Sequence, residues 1–171
     1  MPVERMFPKF LPIMALGALT VLAGCGRSDP AVGDCGPVRE RYVLGGQLDE
    51  TIEHFSTYDL ETRYRIYMCS NQGILPHRGL HTLFAEGGEE AANFLARKLE
   101  GSNYDLTIYN IVVVFATMQT MRTFDATTDP VLMELIERKV ALLEGAHREW
   151  ADKYLQTIRN GPGSTLPVPA N

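Results

Sequence analysis

The chain has 171 residues, 45% hydrophobic and 22% charged, a balance that fits one globular domain with a packed core. Its 16 Lys and Arg against 21 Asp and Glu give a net charge of −5. That excess of acid argues against a nucleic-acid binder, which needs a concentrated basic face to hold a polyanion. Three cysteines, an odd number, need separate assignments.

Arg5 and Lys9 precede an uncharged run from Phe10 to Ala23. The run is shorter than the roughly 20 apolar residues of a spanning helix, and it matches the apolar region of a secretory signal peptide. It closes on Leu22-Ala23-Gly24-Cys25, followed by Gly26-Arg27-Ser28-Asp29-Pro30. This string resembles the lipobox of bacterial lipoproteins. The resemblance implies loss of residues 1–24, a diacylglyceryl group on the Cys25 sulfur and an acyl group on the new N-terminus. Each buried methylene contributes about 0.8 kcal/mol, so two or three chains anchor firmly where one does not. Gly26 after the cysteine, where an Asp would favour inner-membrane retention, implies the outer membrane by the sorting pattern of enteric lipoproteins. An ordinary signal peptide with a chance cysteine, or an uncleaved anchor, is the alternative. Without residues 1–24, which hold Glu4, Arg5 and Lys9, the chain keeps 14 basic and 20 acidic residues, a net −6.

Residues 25–36, containing Gly, Ser, Asp and Pro, read as a lipidated tether. Residues 37–160 read as a helical periplasmic domain, and residues 161–171, with three prolines and two glycines, as a disordered tail. With Cys25 assigned to lipid, Cys35 and Cys69 form an even pair in an oxidising compartment, and a disulfide is expected. Its loop of about 35 residues corresponds to roughly 3–4 kcal/mol by chain entropy. Two free thiols or a metal site are the alternatives, the latter disfavoured by the absence of any Cys-x-x-Cys.

Helical spacing dominates the domain. Leu48, Ile52 and Phe55 mark a short helix; Leu60, Tyr64, Tyr67 and Met68 mark a second, entered through Asp59 as N-cap. Pro76 breaks the chain. Leu80, Leu83 and Phe84 follow, ended by Gly87-Gly88. Ala91, Phe94, Leu95 and Leu99 form the next helix, with Glu89 and Glu90 at its start and Arg97 and Lys98 near its end, as the helix dipole favours. Asn103 or Asp105 opens the longest apolar segment, Leu106 to Met121. Its β-branched run Ile111 to Val114 suits a strand, but the segment length and the flanking Ile108, Phe115 and Met118 predict a helix buried on more than one face. Pro130 behind Thr128 or Asp129 starts a sixth helix through Leu143, and Trp150, Tyr154, Leu155 and Ile158 mark a seventh after Gly145. The fold class is all-α, about seven helices in antiparallel hairpins.

The segment Leu83 to Leu99, with its glycine stop and the Ala91, Phe94, Leu95, Leu99 ridge, resembles the HEAT-repeat pattern. Asp59 and Asp105 would be equivalent, 46 residues apart against the ~40–47 of such repeats. Arg63 matches the basic residue that follows the Asp, but Asn110 stands in its place in the second unit. A third unit spans Leu132 to Ile158 with Gly145 as its glycine. The resemblance covers about 100 residues and implies a short right-handed α-solenoid, a rigid surface for binding protein segments; a generic helical bundle is the alternative.

Chemistry-bearing groups are sparse. His77 and His81 have the i, i+4 spacing of zinc ligands, but Arg78 sits between them, Pro76 and Gly79 disfavour a helix there, and no third ligand is evident. Glu86, Glu89 and Glu90 lie where helix N-termini attract carboxylates. Ser56, Ser70 and Ser102 lack a nucleophile-elbow setting, and no phosphate-binding glycine loop occurs. Met118 and Met121 read as core. No cofactor, metal or catalytic residue is therefore expected. Tyrosines recur at 58, 64, 67, 104 and 109; those of the second helix, interleaved with arginines, offer a recognition face of Tyr58, Arg63, Tyr64, Arg65 and Tyr67, although tyrosines at the rim of a small core give the same pattern. The expected function is a membrane-anchored periplasmic scaffold or localisation factor that binds an envelope protein and no nucleic acid. An immunity or inhibitor protein against a toxin, a pilotin-like assembly factor and a cell-wall hydrolase are the rival readings.

Overall fold

A computed structural model describes residues 29–30, 32–72 and 79–167. The lipobox with Cys25, the apolar run before it, His77 and residues 168–171 lie outside the described residues. Eight α-helices form among those described: α1 (Gly36–Tyr42), α2 (Leu48–His54), α3 (Leu60–Asn71), α4 (Leu80–Ala85), α5 (Gly88–Gly101), α6 (Asp105–Met121), α7 (Pro130–Ala141) and α8 (Gly145–Arg159). Single 3-10 turns follow α2 at Phe55–Thr57 and precede α7 at Ala126–Thr128. No strand occurs among the described residues, so the all-α class holds.

Local chemistry sets the helix starts. Asp59 caps α3 by accepting from the Thr62 amide at 2.8 Å. Asp129 caps α7 by accepting from Val131 and Leu132, both at 3.0 Å, and Pro130 takes the first helical position, where its missing N–H costs nothing. α6 ends on Arg122 in the left-handed region (φ 61°), with Arg122 and Thr123 amides bonding back to Gln119 and Met118 carbonyls.

α6 is buried nearly all round, from Thr107 to Gln119 except for half-buried Tyr109. Burial overrides the strand preference of its β-branched run. It packs against α4, α5, α7 and α8. Thr123 Oγ1 donates to the Ala85 carbonyl at 2.8 Å, joining the ends of α6 and α4, and Gln119 Nε2 donates to the Ile158 carbonyl at 3.0 Å, joining those of α6 and α8. These three helices therefore run side by side in one direction. α5 and α7 pack together as the opposing layer, each linked to the next helix by a short reversal. Their C-terminal ends meet where Lys139, buried on α7, donates through Nζ to the Ser102 carbonyl. At the other end, α3 joins α4 and α5 through a ring cluster: Phe84 lies 6.2 Å from both Phe55 and Tyr67 and 6.4 Å from Phe94, which lies 5.8 Å from Tyr64.

Two expectations need correction. The segment read as tether up to residue 36 is packed over its last part: Asp29, Val32 and Cys35 are buried, and Gly36 begins α1. α1 escapes a periodicity reading because Gly36-Pro37 looks like a breaker, yet proline is tolerated in a first helical turn. The segment read as a disordered tail is likewise packed through residue 167. The Gly163 amide donates to the Gln119 carbonyl at 2.7 Å, the Thr157 hydroxyl donates to the Thr165 carbonyl, and Leu166 lies against the core. Gly163 takes φ +87°, a conformation that favours glycine, beside the Arg122 guanidinium, whose end would have to shift to admit a Cβ.

Lys139→Met keeps the apolar stem but leaves the Ser102 carbonyl without its donor. It is expected to destabilise the fold by about 1–3 kcal/mol, seen as a lower urea midpoint at unchanged slope. An unchanged midpoint would mean that this cross-layer bond contributes nothing.

Candidate interaction surface between α1 and α3

The Cys35–Cys69 disulfide, with Cα atoms 5.3 Å apart, fastens the start of α1 to the C-terminal half of α3. Val38 is buried beneath α1. Arg65 Nη2 donates to the Asp34 carbonyl at 3.3 Å, a second link between the segments.

The expected recognition face on α3 divides in two. Tyr64 and Tyr67 are core residues, almost wholly buried, and are corrected from that face. Tyr67 donates its hydroxyl to the Asn110 carbonyl at 3.1 Å. The Tyr64 ring packs edge-on to Phe94 with the Lys98 ammonium 4.9 Å from its centroid, and Lys98 is held in turn by Glu61 at 2.7 Å. Burial raises both phenols above the ordinary tyrosine range, with nearby charge on Asp29 and Glu61 adding to the effect at Tyr64. Arg63 is half-buried and tied inward, its Nε donating to the Tyr58 carbonyl at 2.8 Å.

Tyr58 and Arg65 remain at the surface rim, where α1 supplies companions that the sequence reading missed. The Tyr42 ring meets the Tyr58 ring edge-on at 5.5 Å, and the Arg41 guanidinium lies 5.1 Å from the Tyr42 centroid. A cleft of about 290 Å³ opens here, lined by Pro37, Val38, Arg41, Tyr42, Thr62 and Arg65. A hollow of about 260 Å³ adjoins it between Arg41 and Tyr58. The ion pairs among the described residues engage Lys98, Arg148, Lys153 and Arg159, and no carboxylate there lies within 4.0 Å of Arg41 or Arg65. Two guanidiniums, a hydroxyl and a tyrosine face suit a carboxylate-bearing segment, which arginine can grip with paired N–H donors. The signal for Arg41 and Tyr42 lay in the cysteine spacing: a bridge from Cys35 to the middle helix carries the residues after Cys35 onto it.

The other candidates fall elsewhere. Glu86, Glu89 and Glu90 are exposed at the α4–α5 junction. Ser70 and Ser102 are buried, with their hydroxyls donating to the Tyr67 carbonyl and to Asp29 Oδ2. Met118 is core, and Met121 packs at its edge. Tyr104 is half-buried beside α6, and Tyr109 packs 5.4 Å from the His147 ring and 6.0 Å from Tyr154. His81 is half-buried on α4. No group of three or more potential metal ligands occurs among the described residues.

Comparison with protein-family models, curated proteins and solved structures finds no match to this chain.

Two measurements follow from this geometry. Burial lowers the His81 pKa below 6.5, so the unfolded chain takes up its proton first as pH falls. His81 therefore contributes stability above about pH 6.5 that is lost progressively below it. His81→Gln should flatten the stability profile below about pH 6.5; a profile parallel to wild type would remove His81 as the cause. Reducing the disulfide should lower stability by roughly 3 kcal/mol and speed amide exchange in α1 before α6. Equal acceleration in both helices would contradict a local clamp.

Proposed function

We propose that this protein is a lipid-anchored protein of the bacterial outer membrane, facing the periplasm, whose helical domain binds a partner protein and localises it. The observation that carries this reading is Leu22-Ala23-Gly24-Cys25 behind a short basic start and an uncharged apolar run. The Cys35–Cys69 disulfide supports an exported location, since such bridges persist in oxidising compartments.

The reading extends to the domain as a short HEAT-like stack, in which α4, α6 and α8 form one layer against α5 and α7. Stacked hairpins of this kind give a stiff surface for a protein segment. On it, the Arg41–Tyr42–Arg65 cleft takes an acidic segment of the partner, because its cations lack an internal carboxylate among the described residues. The protein acts by binding, with no catalytic step and no cofactor. Holding the cleft at the membrane raises the local concentration of a partner that is also confined there.

The test uses the lipidated protein in native membranes. Cys25→Ser should lose incorporation of a labelled fatty acid and leave the membrane fraction; a label that persists overturns the anchor. Crosslinking and pull-down should recover one envelope protein, and the pair Arg41→Glu with Arg65→Glu should reduce its recovery by about tenfold or more. Recovery indifferent to that charge reversal overturns the assignment of the cleft.

A further inference from the structure

Burial fixes the point where the chain enters the fold. Asp29 is 4% exposed, and its Oδ2 accepts from Ser102 Oγ at 2.9 Å. Its carbonyl accepts from the Val32 and Gly33 amides, and Val32 is 2% exposed in the core. Only residues 26–28 stand between this fixed point and Cys25. Four residue steps reach at most about 14 Å. The headgroup layer itself occupies about 5–7 Å on each side of the hydrocarbon, whereas a domain of this size is on the order of 35 Å across. A chain lipidated at Cys25 is therefore too short to hold the domain clear of the bilayer, and the surface around Asp29 meets the headgroups.

That surface has a composition suited to the contact. Arg39 on α1 lines the same cleft as Asp29. Across α1, Arg39, Pro37 and Leu44 share a shallow hollow with Gly36 and Glu40, and the exposed Asp34 accepts from the Gly36 amide at 2.9 Å beside it. The Leu44 amide donates to the Arg39 carbonyl at 2.8 Å. Leu44 is 48% exposed, one of few large apolar side chains so exposed among the described residues, and Gly45 and Gly46 behind it turn the chain with φ of +72° and +85°. Arg39 and Arg41 outnumber Glu40, so α1 is net positive in a strongly acidic protein. Arg39 and Glu40 balance on this flank itself, with Arg41 beside it on the same helix, so an anionic surface repels the bulk of such a domain more than it repels α1.

We infer that the Pro37–Arg39–Leu44 flank of α1 rests on the phosphate headgroups of an anionic phospholipid surface, with Leu44 pressed into it. The inference depends on the lipidation of Cys25 proposed above, and it adds an orientation. The Arg41–Arg65 cleft shares Pro37 with that flank, so it lies beside the contact and a partner would meet it close to the membrane.

The test uses the full lipidated protein in vesicles of phosphatidylglycerol and a phosphatidylcholine brominated near the glycerol end of its chains. In a Trp150→Phe background, Leu44→Trp should emit at shorter wavelength and lose more than half its intensity to the brominated lipid. Val131→Trp, at a position 78% exposed on α7, should be unaffected. Adding Arg39→Glu to Leu44→Trp should reduce the quenching at least by half. Protein that floats with the vesicles while Leu44→Trp stays unquenched, or is quenched no more than Val131→Trp, overturns the orientation and leaves the anchor standing. Protein that carries no lipid mass on Cys25 and fails to float overturns both.

Discussion

The architecture follows from the need to cover α6. A helix with apolar or small side chains on every face cannot sit at a surface, and from Asn110 to Gln119 this one presents no exposed position. Two opposing neighbours leave its flanks open; α4 and α8 take its sides while α5 and α7 close over it. Most polar groups along α6 then bond within the fold, while the Asn110 amide nitrogen and the Gln119 side-chain oxygen are buried without a hydrogen-bond partner. Thr117 bonds back to the Val113 carbonyl, and Gln119 ties three segments together through Ile158, Asp125 and the Gly163 amide. Residues 161–167 add to this end of the helix, the Gly163 amide giving the Gln119 carbonyl a second donor beside that of Arg122.

A basic rim on an acidic protein has a physical origin in the same arrangement. The cations of α8 meet carboxylates, Arg148 with Asp152 in its own helix and Arg159 with Glu137 on α7, while Lys153 meets Glu149. In α1 the single Glu40 stands between Arg39 and Arg41, a spacing at which helical side chains do not face each other, and the position of the helix is set by a covalent bridge and by Val38. Its guanidiniums are thus left pointing outward. Arg65, aligned with them across the cleft, spends only a long bond on the Asp34 carbonyl. With the proposed anchor and partner, that charge would face an acidic protein segment and a lipid surface.

Much of the scaffold was legible in the chain because its signals are local. Asp59, Asp129 and Pro130 announce helix starts by side-chain chemistry that depends on no distant residue, and the length of the 106–121 segment outweighs its β-branched run. The cysteine pair was legible by elimination. What could not be read depends on tertiary contact. α3 buries Tyr64 and the consecutive run Ile66 to Ser70, which occupies more than one face, so periodicity does not say which tyrosines turn outward. Tyr64 and Tyr67 consequently looked like a recognition face and are core. α1 and residues 161–167 carry glycine and proline that mimic linkers, and only the surface waiting to receive them makes them ordered.

The bridge between Cys35 and Cys69 also decides how the molecule bears tension. A pull on the proposed anchor is resisted first by the buried Asp29–Ser102 contact, and beyond it the force reaches Cys35. From there a covalent shortcut carries the load straight to Cys69 and on into the helical layers. The 33 residues between the two cysteines form a slack loop in parallel with that shortcut. α1, α2 and the cleft between α1 and α3 lie within or along it. A tugged domain would therefore keep the shape of its binding surface while strain accumulates elsewhere, a mechanical shelter built from one bond.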